Sequence, residues 1–459
     1  MNLSIKQSEI TELTDQLQKF SSLVELFKEG RADQGLFASE LARFESIDWQ
    51  QENMFNQMLG YHALASAFGA LKCKNLDYTE AYYDNAYVNK EVSYYHNVQY
   101  IVTRVAKEDW AALYNTAFKA SCRAFLCLAN AYDHLGRFCE AQQYYKLAAL
   151  DKRNQKDVEV NQGYSYGNMH AFWESEEPWI VRKAQQIMRR YPKDFDKATP
   201  GLRETVCSWK TPSFDAPRAD FTAIADGDYE YWVNTNYLRI NRYCDVEPLS
   251  ELSIADNVKL HQIKDTKEMQ NIFASSFDEI KRTFVDTRKI TYTAIKDEIR
   301  IDLLKMTYKS FYSLLDKIAI FLKAYLSIPI EVHRVDFSTI WTDKKGLIRP
   351  EFLAHPQNLS LLALYNVKLD VYGSKSVGYV VDEQTKDLQR IRNFLEHKIV
   401  SIRDGAMEYD EYQLKISKRE LALNTIRLAQ LVRCSIIYLC NFVLHAEYDK
   451  KINNPLSMQ

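Results

Sequence analysis

Residues Arg123 to Arg153 read RAFLCLANAYDHLGRFCEAQQYYKLAALDKR. Apolar residues recur every three or four positions on both sides of His134–Gly136, which predicts two amphipathic helices joined by a tight turn. The small residues Ala129, Ala141 and Ala148 are interleaved with the large Phe125, Leu128, Tyr132, Phe138 and Tyr145. Small residues let two helices approach closely, and large ones fill the groove between them. The same period extends outward. Ile10, Leu13, Leu17, Phe20, Leu23, Val24 and Phe27 line one face of an earlier helix. A helical pattern runs from about Gln51 to Arg190 with few breakers.

Composition agrees. Glycine (13) and proline (10) together make 23 of 459 residues, about 5% against roughly 12% in an average chain. That shortage excludes collagen-like and low-complexity architectures and disfavours turn-rich β sandwiches. It also disfavours glycine-rich phosphate cradles, and neither GxxxxGK[ST] nor GxGxxG occurs. The expected fold is all-α. The charge balance is 59 basic against 61 acidic residues, so no global field draws the chain to nucleic acid or membrane. Any nucleic-acid site must be a local patch.

The eight cysteines form no CxxC pair, and none stands beside histidine at zinc-ligand spacing, so no metal or other cofactor is expected. The N-terminal MNLSIKQSEITEL lacks an apolar signal region. The apolar stretch Cys434–Ala446 is interrupted by Ser435, Asn441 and His445 and is too short to span a bilayer. These features lead us to expect a cytoplasmic protein with no membrane partner.

Six of the ten prolines fall between Pro178 and Pro248. Proline is disfavoured in helix interiors and restricts the residue before it. The expected organisation is a helical domain over 1–190, a proline-rich junction over 191–224 and a second helical domain over 225–459. In that last part, helices are expected at Thr266–Lys289, Glu298–Ser327, Thr385–Ile402 and Lys415–Tyr448, with a loop-rich excursion at Glu331–Pro356. Four main helices with one excursion make a bundle.

One segment carries candidate chemistry: Asp387 to Val400, DLQRIRNFLEHKIV. Leu388, Ile391, Phe394, Leu395 and Ile399 supply its apolar face. The other face holds Arg390, Arg392, Asn393, Glu396, His397 and Lys398. A solvated helix face with an Arg392–Glu396 pair is the bland reading, worth only ~0.2–0.5 kcal/mol. The alternative is phosphate chemistry carried by side chains.

Two resemblances bear on the choice. Arg123–Arg153 resembles a tetratricopeptide repeat, a helix pair that stacks into solenoids, although Arg153 stands where such repeats often have proline. Arg392, Asn393 and His397 are similar to the signature of HEPN (higher eukaryotes and prokaryotes nucleotide-binding) domains, an Arg, a polar residue and a His after a short helical spacing. Arg390 with His397 is a competing match, but Ile391 follows Arg390. Arg349 with His355 also fits the spacing, but Pro350 and Pro356 argue against a helix there. Ser313–Leu326 (SLLDKIAIFLKAYL), Asp228–Asn241 (DYEYWVNTNYLRIN) and Leu423–Leu439 (LNTIRLAQLVRCSIIYL) look like parts of a HEPN subfamily that often carries N-terminal tetratricopeptide-like repeats.

The resemblance implies a metal-independent endoribonuclease of a toxin or anti-phage defence type, acting as a homodimer through its HEPN-like domain. It implies Arg392, His397 and Asn393 as catalytic residues, with RNA held by Arg390 and Lys398. It implies RNA as substrate and a repeat half that receives a protein partner and restrains the nuclease. Asp316 is kept outside the catalytic set. The rival readings are a non-catalytic HEPN module that binds RNA or protein, and a helical-repeat adaptor.

Overall fold

The computed structural model describes residues 7–75, 83, 85–104, 107–173, 178–210, 229–296, 298–373, 382–405 and 407–453. Pro212, Pro217 and the rest of 211–224, the later part of the expected junction, lie outside them. Among the described residues the elements are α1 (Gln7–Lys28), α2 (Gln34–Glu45), α3 (Met54–Asn75), α4 (Ala86–Arg104), α5 (Lys107–His134), α6 (Phe138–Ala148), α7 (Gln155–Trp173), α8 (Pro178–Arg190), α9 (Pro192–Ala198), α10 (Leu202–Ser208), α11 (Tyr229–Thr235), α12 (Lys267–Ile295), α13 (Ile301–Tyr325), α14 (Pro350–Leu353), α15 (Leu359–Tyr372), α16 (Glu383–His397) and α17 (Lys418–Asn453), with strands β1 (Ile399–Ile402), β2 (Glu408–Tyr409) and β3 (Gln413–Ile416). The fold is all-α apart from that small sheet.

The chain divides into two compact units that are interleaved in sequence. The first comprises 1–134, 141–163 and 373–384, and the second 135–140, 164–372 and 385–459. In the first, α3 packs on α1, α4 and α5. Asp33 caps α2 by accepting a bond from the Leu36 N–H at 2.7 Å, as expected of an N-cap carboxylate. Ala129, Ala141 and Ala148 are fully buried. Tyr144 meets the Phe125 and Tyr132 rings, and the Tyr145 hydroxyl donates to Asn130 Oδ1 at 2.8 Å. The quoted stretch thus forms the two helices it predicts.

In the second unit α13 packs against α12 and α17, and α15 packs against α17. Thr266 caps α12 by accepting from the Met269 N–H at 3.3 Å. Gly136 adopts φ +71°, and a Cβ there would lie 2.3 Å from the Leu359 carbonyl oxygen. Only glycine fits both constraints. The segment Tyr229–Asn241 is held by two buried arginines. From α12, Arg288 bonds both oxygens of Asp256 at 2.9 Å, the Leu238 carbonyl at 2.8 Å and the Tyr229 hydroxyl at 2.9 Å. From α17, Arg433 bonds both oxygens of Asp245 at 2.8 and 2.7 Å, the Arg239 carbonyl at 2.7 Å and the Asn241 carbonyl. By length and composition α17 could cross a membrane, but 83% of its apolar window is buried inside the fold.

Three expectations need correction. The helix expected over Thr385–Ile402 stops at His397, and Ile399–Ile402 is strand β1. The β-branched run Ile-Val-Ser-Ile pairs in parallel with β3, Ile399 opposite Gln413 and Ile402 opposite Ile416; such side chains suit a strand better than a helix end. The helix expected from Lys415 begins at Lys418, because Gln413–Ile416 is strand β3. Ser417 starts that helix by accepting from the Glu420 N–H at 3.1 Å, a Ser-x-x-Glu start signal. Finally, α15 is a fifth main helix. Every residue from Ser360 to Val371 is buried, so it has no polar face and no amphipathic period to betray it.

Candidate functional site

Helix α16 is fixed by its buried face. Thr385, Asp387, Leu388, Ile391 and Phe394 point into the second unit. The Leu388 carbonyl accepts bonds from the Tyr308 and Tyr312 hydroxyls at 2.9 and 3.3 Å. Two tyrosines on α13 therefore hold the helix that presents the candidate residues.

At about 100° per residue, Lys386, Arg390, Asn393 and His397 fall on one stripe of α16. Arg390, Asn393 and Lys398 line an open groove of about 610 Å³ with Lys386, Gln389 and Phe394. The opposite wall is the turn between β2 and β3, where Tyr409, Asp410 and Glu411 face the helix. The Arg390 guanidinium stacks on Tyr409 at 4.1 Å and pairs with Asp387 at 3.0 Å. Asp410 Oδ1 accepts from the Tyr412 and Gln413 N–H groups, both at 2.8 Å. Those two bonds hold its carboxyl below the usual range.

His397 ends the helix with a side chain 71% exposed, and its Nε2 lies 3.6 Å from Glu396 Oε2. Arg392 stands about 140° around the helix from it. Its Nε donates to Glu396 Oε1 at 3.3 Å, and its guanidinium lies over the Tyr312 and Tyr372 rings at 4.8 and 5.0 Å. One carboxylate, Glu396, thus touches both motif residues, one through each oxygen. Desolvation works against the charge on Arg392, but Tyr372, Glu396 and Tyr312 outweigh it and the guanidinium is held more firmly protonated. Burial pushes the Tyr312 and Tyr372 hydroxyls up, and the Tyr372 hydroxyl finds no hydrogen-bond partner among the described residues. Burial also raises the Asp316 carboxyl, against the Phe337 N–H bond and the charge of Arg392, which lower it. Asp316 therefore belongs to the Arg392 side of the helix.

The structure brings Arg390, Asn393 and Lys398 to one groove and links Arg392 to His397 through Glu396. It does not bring Arg392 into that groove. Sequence reading passed over Lys386, Glu396 as a bridge, and the whole Tyr409–Tyr412 turn, whose proximity depends on strands it read otherwise. It also passed over Gly163-Tyr164-Ser165-Tyr166-Gly167, a GxSxG pattern. That pattern needs an exposed serine on a strand-to-helix turn. Here it lies inside α7 with Ser165 fully buried, so it presents no nucleophile. Among the described residues no three His, Cys, Asp or Glu side chains are grouped as a metal site requires.

Comparison with known proteins bears on the C-terminal part of the chain. Residues 263–447 match the model of a family described as LA2681-like HEPN. The match covers α12, α13, α15, α16, the sheet and most of α17, and so contains all five candidate residues. No curated protein and no solved structure matches the chain.

Proposed function

We propose that the chain is an endoribonuclease of the HEPN type, independent of metal, whose site is completed by dimerisation. The observation that carries this reading is helix α16 inside the matched domain. It exposes His397, couples it through Glu396 to Arg392, and borders a groove bearing Lys386, Arg390 and Lys398.

In the proposed reaction the ribose 2′-oxygen attacks the adjacent phosphorus. As that bond forms, the bond to the 5′-oxygen breaks, leaving a 2′,3′-cyclic phosphate and a 5′-hydroxyl. A proton must leave the 2′-hydroxyl and another must reach the departing oxygen. Histidine suits both transfers, because unperturbed imidazole titrates near pH 6.5. A guanidinium suits the charge that develops on the phosphate oxygens, the role assigned to Arg392. Asn393, exposed on the groove stripe, orients the phosphate, while Arg390 and Lys398 hold the backbone. In one copy Arg392 and His397 diverge around the helix, so a two-fold pairing of α16 helices would bring two sets around one phosphate. The N-terminal helices are assigned the control role, receiving a protein signal on a repeat-like surface. A toxin or anti-phage setting follows from the HEPN resemblance alone.

The divergence of Arg392 and His397 favours one rival, an RNA-binding HEPN module without cleavage. Incubating the purified full chain with total RNA in EDTA separates the two. Discrete fragments with cyclic-phosphate and 5′-hydroxyl ends support the nuclease; retained but intact RNA supports the binder.

A further inference from the structure

Among the described residues most aromatic side chains are buried or half-buried, and three are exposed: Tyr409 (59%), Tyr412 (70%) and Tyr448. Tyr409 lines the α16 groove, and Tyr412 stands three residues on, in the turn that follows it and outside the groove's lining. Burial does not explain their position, since neither is covered by the fold.

The turn holds them rigidly. Asp410 N donates to the Gln413 carbonyl at 3.0 Å, and Asp410 Oδ1 accepts from Tyr412 and Gln413. One face of Tyr409 is backed by the Arg390 guanidinium at 4.1 Å, and Phe394 meets its ring edge-on at 6.5 Å. An arginine stacked behind a tyrosine leaves a preorganised flat surface rather than a mobile ring. Around it stand three cations, Lys386, Arg390 and Lys398, and three carboxylates, Asp387 paired with Arg390, Asp410 bonded to the turn N–H groups, and Glu411. Flat exposed rings beside a short line of cations match unpaired bases joined by phosphates. A duplex keeps its bases stacked on each other and offers no such face.

We propose that Tyr409 and Tyr412 form a base-stacking clamp for two unpaired nucleotides of a single-stranded nucleic acid, with the intervening phosphates on Lys386, Arg390 and Lys398. This deepens the nuclease reading by naming the substrate as single-stranded at the cleavage site, and it rests on that reading for its identification as RNA.

The test is the affinity of the full chain for a fluorescein-labelled oligouridylate of about ten nucleotides, within the span of single-strand sites. His397→Ala protein is used so that the probe stays intact. Tyr409→Ala and Tyr412→Ala are each expected to weaken binding about 5- to 100-fold. Tyr409→Phe and Tyr412→Phe should restore it, because the ring face is kept. The salt slope should stay constant in all four, because phosphate contacts are untouched. Oligothymidylate should show the same tyrosine dependence, whereas recognition confined to the 2′-hydroxyl would overturn the clamp. Unchanged affinity in both alanine variants overturns it too. So does a loss of affinity that appears only with a change of oligomeric state, since the tyrosines would then be a subunit contact. The nuclease reading is scored separately. A wild type that fails to cleave RNA but binds through the tyrosines removes that reading and keeps the clamp; cleavage with tyrosine-independent affinity does the reverse.

Discussion

Helices α16 and α17 both turn arginines toward the same domain, and they use them in opposite ways. Arg433 of α17 is fully buried, and its guanidinium is committed to Asp245, Arg239 and Asn241. Nothing of it remains for a ligand. Arg390 of α16 keeps one ion-pair partner, Asp387, and one aromatic neighbour, Tyr409. Arg392 likewise leans on Glu396 and two tyrosine rings. A guanidinium has five donors, so both α16 arginines have donors beyond these contacts, and Arg390 presents its own at an open groove. The contrast teaches that residue type does not assign function here. The number of donors already satisfied does.

The comparison can be broken first at its buried end. Asp245→Ala strands the Arg433 charge without water, and breaking such a pair costs about 3–5 kcal/mol. Urea unfolding should show that loss; a shift below about 1 kcal/mol would mean the pair is not structural. Replacing both partners together, with Asp245→Leu and Arg433→Met, should recover much of the loss, because no isolated charge remains.

Acid sharpens the same end. Burial alone would raise Asp256, but the bonds and charge of Arg288, the Ile240 N–H and the charge of Arg239 together hold it below its ordinary value of 3.8. The folded state therefore binds this proton less readily than the unfolded chain. The stabilisation is complete above the unfolded value and is lost as pH falls through the lower folded one. Urea midpoints taken downward from neutral pH should drop more steeply in wild type than in Asp256→Asn.

At the open end effects on stability should be smaller and effects on binding larger. Arg390→Ala removes one of the proposed phosphate contacts, so the salt slope for single-stranded RNA should fall by about 0.7. The unfolding free energy should fall by about 0.5–1 kcal/mol through the lost stack on Tyr409 and by about 1–3 kcal/mol more because the buried Asp387 loses this partner. Glu396→Gln weakens a part-exposed pair with Arg392, worth ~0.2–0.5 kcal/mol, and the exposed contact with His397. A stability loss of several kcal/mol from Glu396→Gln would move Arg392 into the Arg433 class.

The sequence carried the helices whose faces differ. Helices α1, α5, α6, α12 and α13 each show a polar side and an apolar side, and each forms where its period lies. Helix α15 was invisible because it is buried all round. The β1–β3 pairing was invisible because four-residue strands leave too short an alternation to separate from the helix ends beside them. The Arg/His spacing and its place on a helix were legible, as was the HEPN resemblance. The groove was not. Its second wall comes from Tyr409–Glu411, and the distinction between Arg390 and Arg392 depends on which neighbours each meets. Linear spacing fixes their azimuths but not what lies across from them.

The central claim is that His397, exposed at the end of α16, carries proton transfer in RNA cleavage. The direct measurement is the cleavage rate of a single-stranded RNA by wild type and by His397→Ala in EDTA, at equal stability. The account predicts a loss of about 10²–10⁴-fold with no change in the urea midpoint. Equal rates in the two proteins would contradict it.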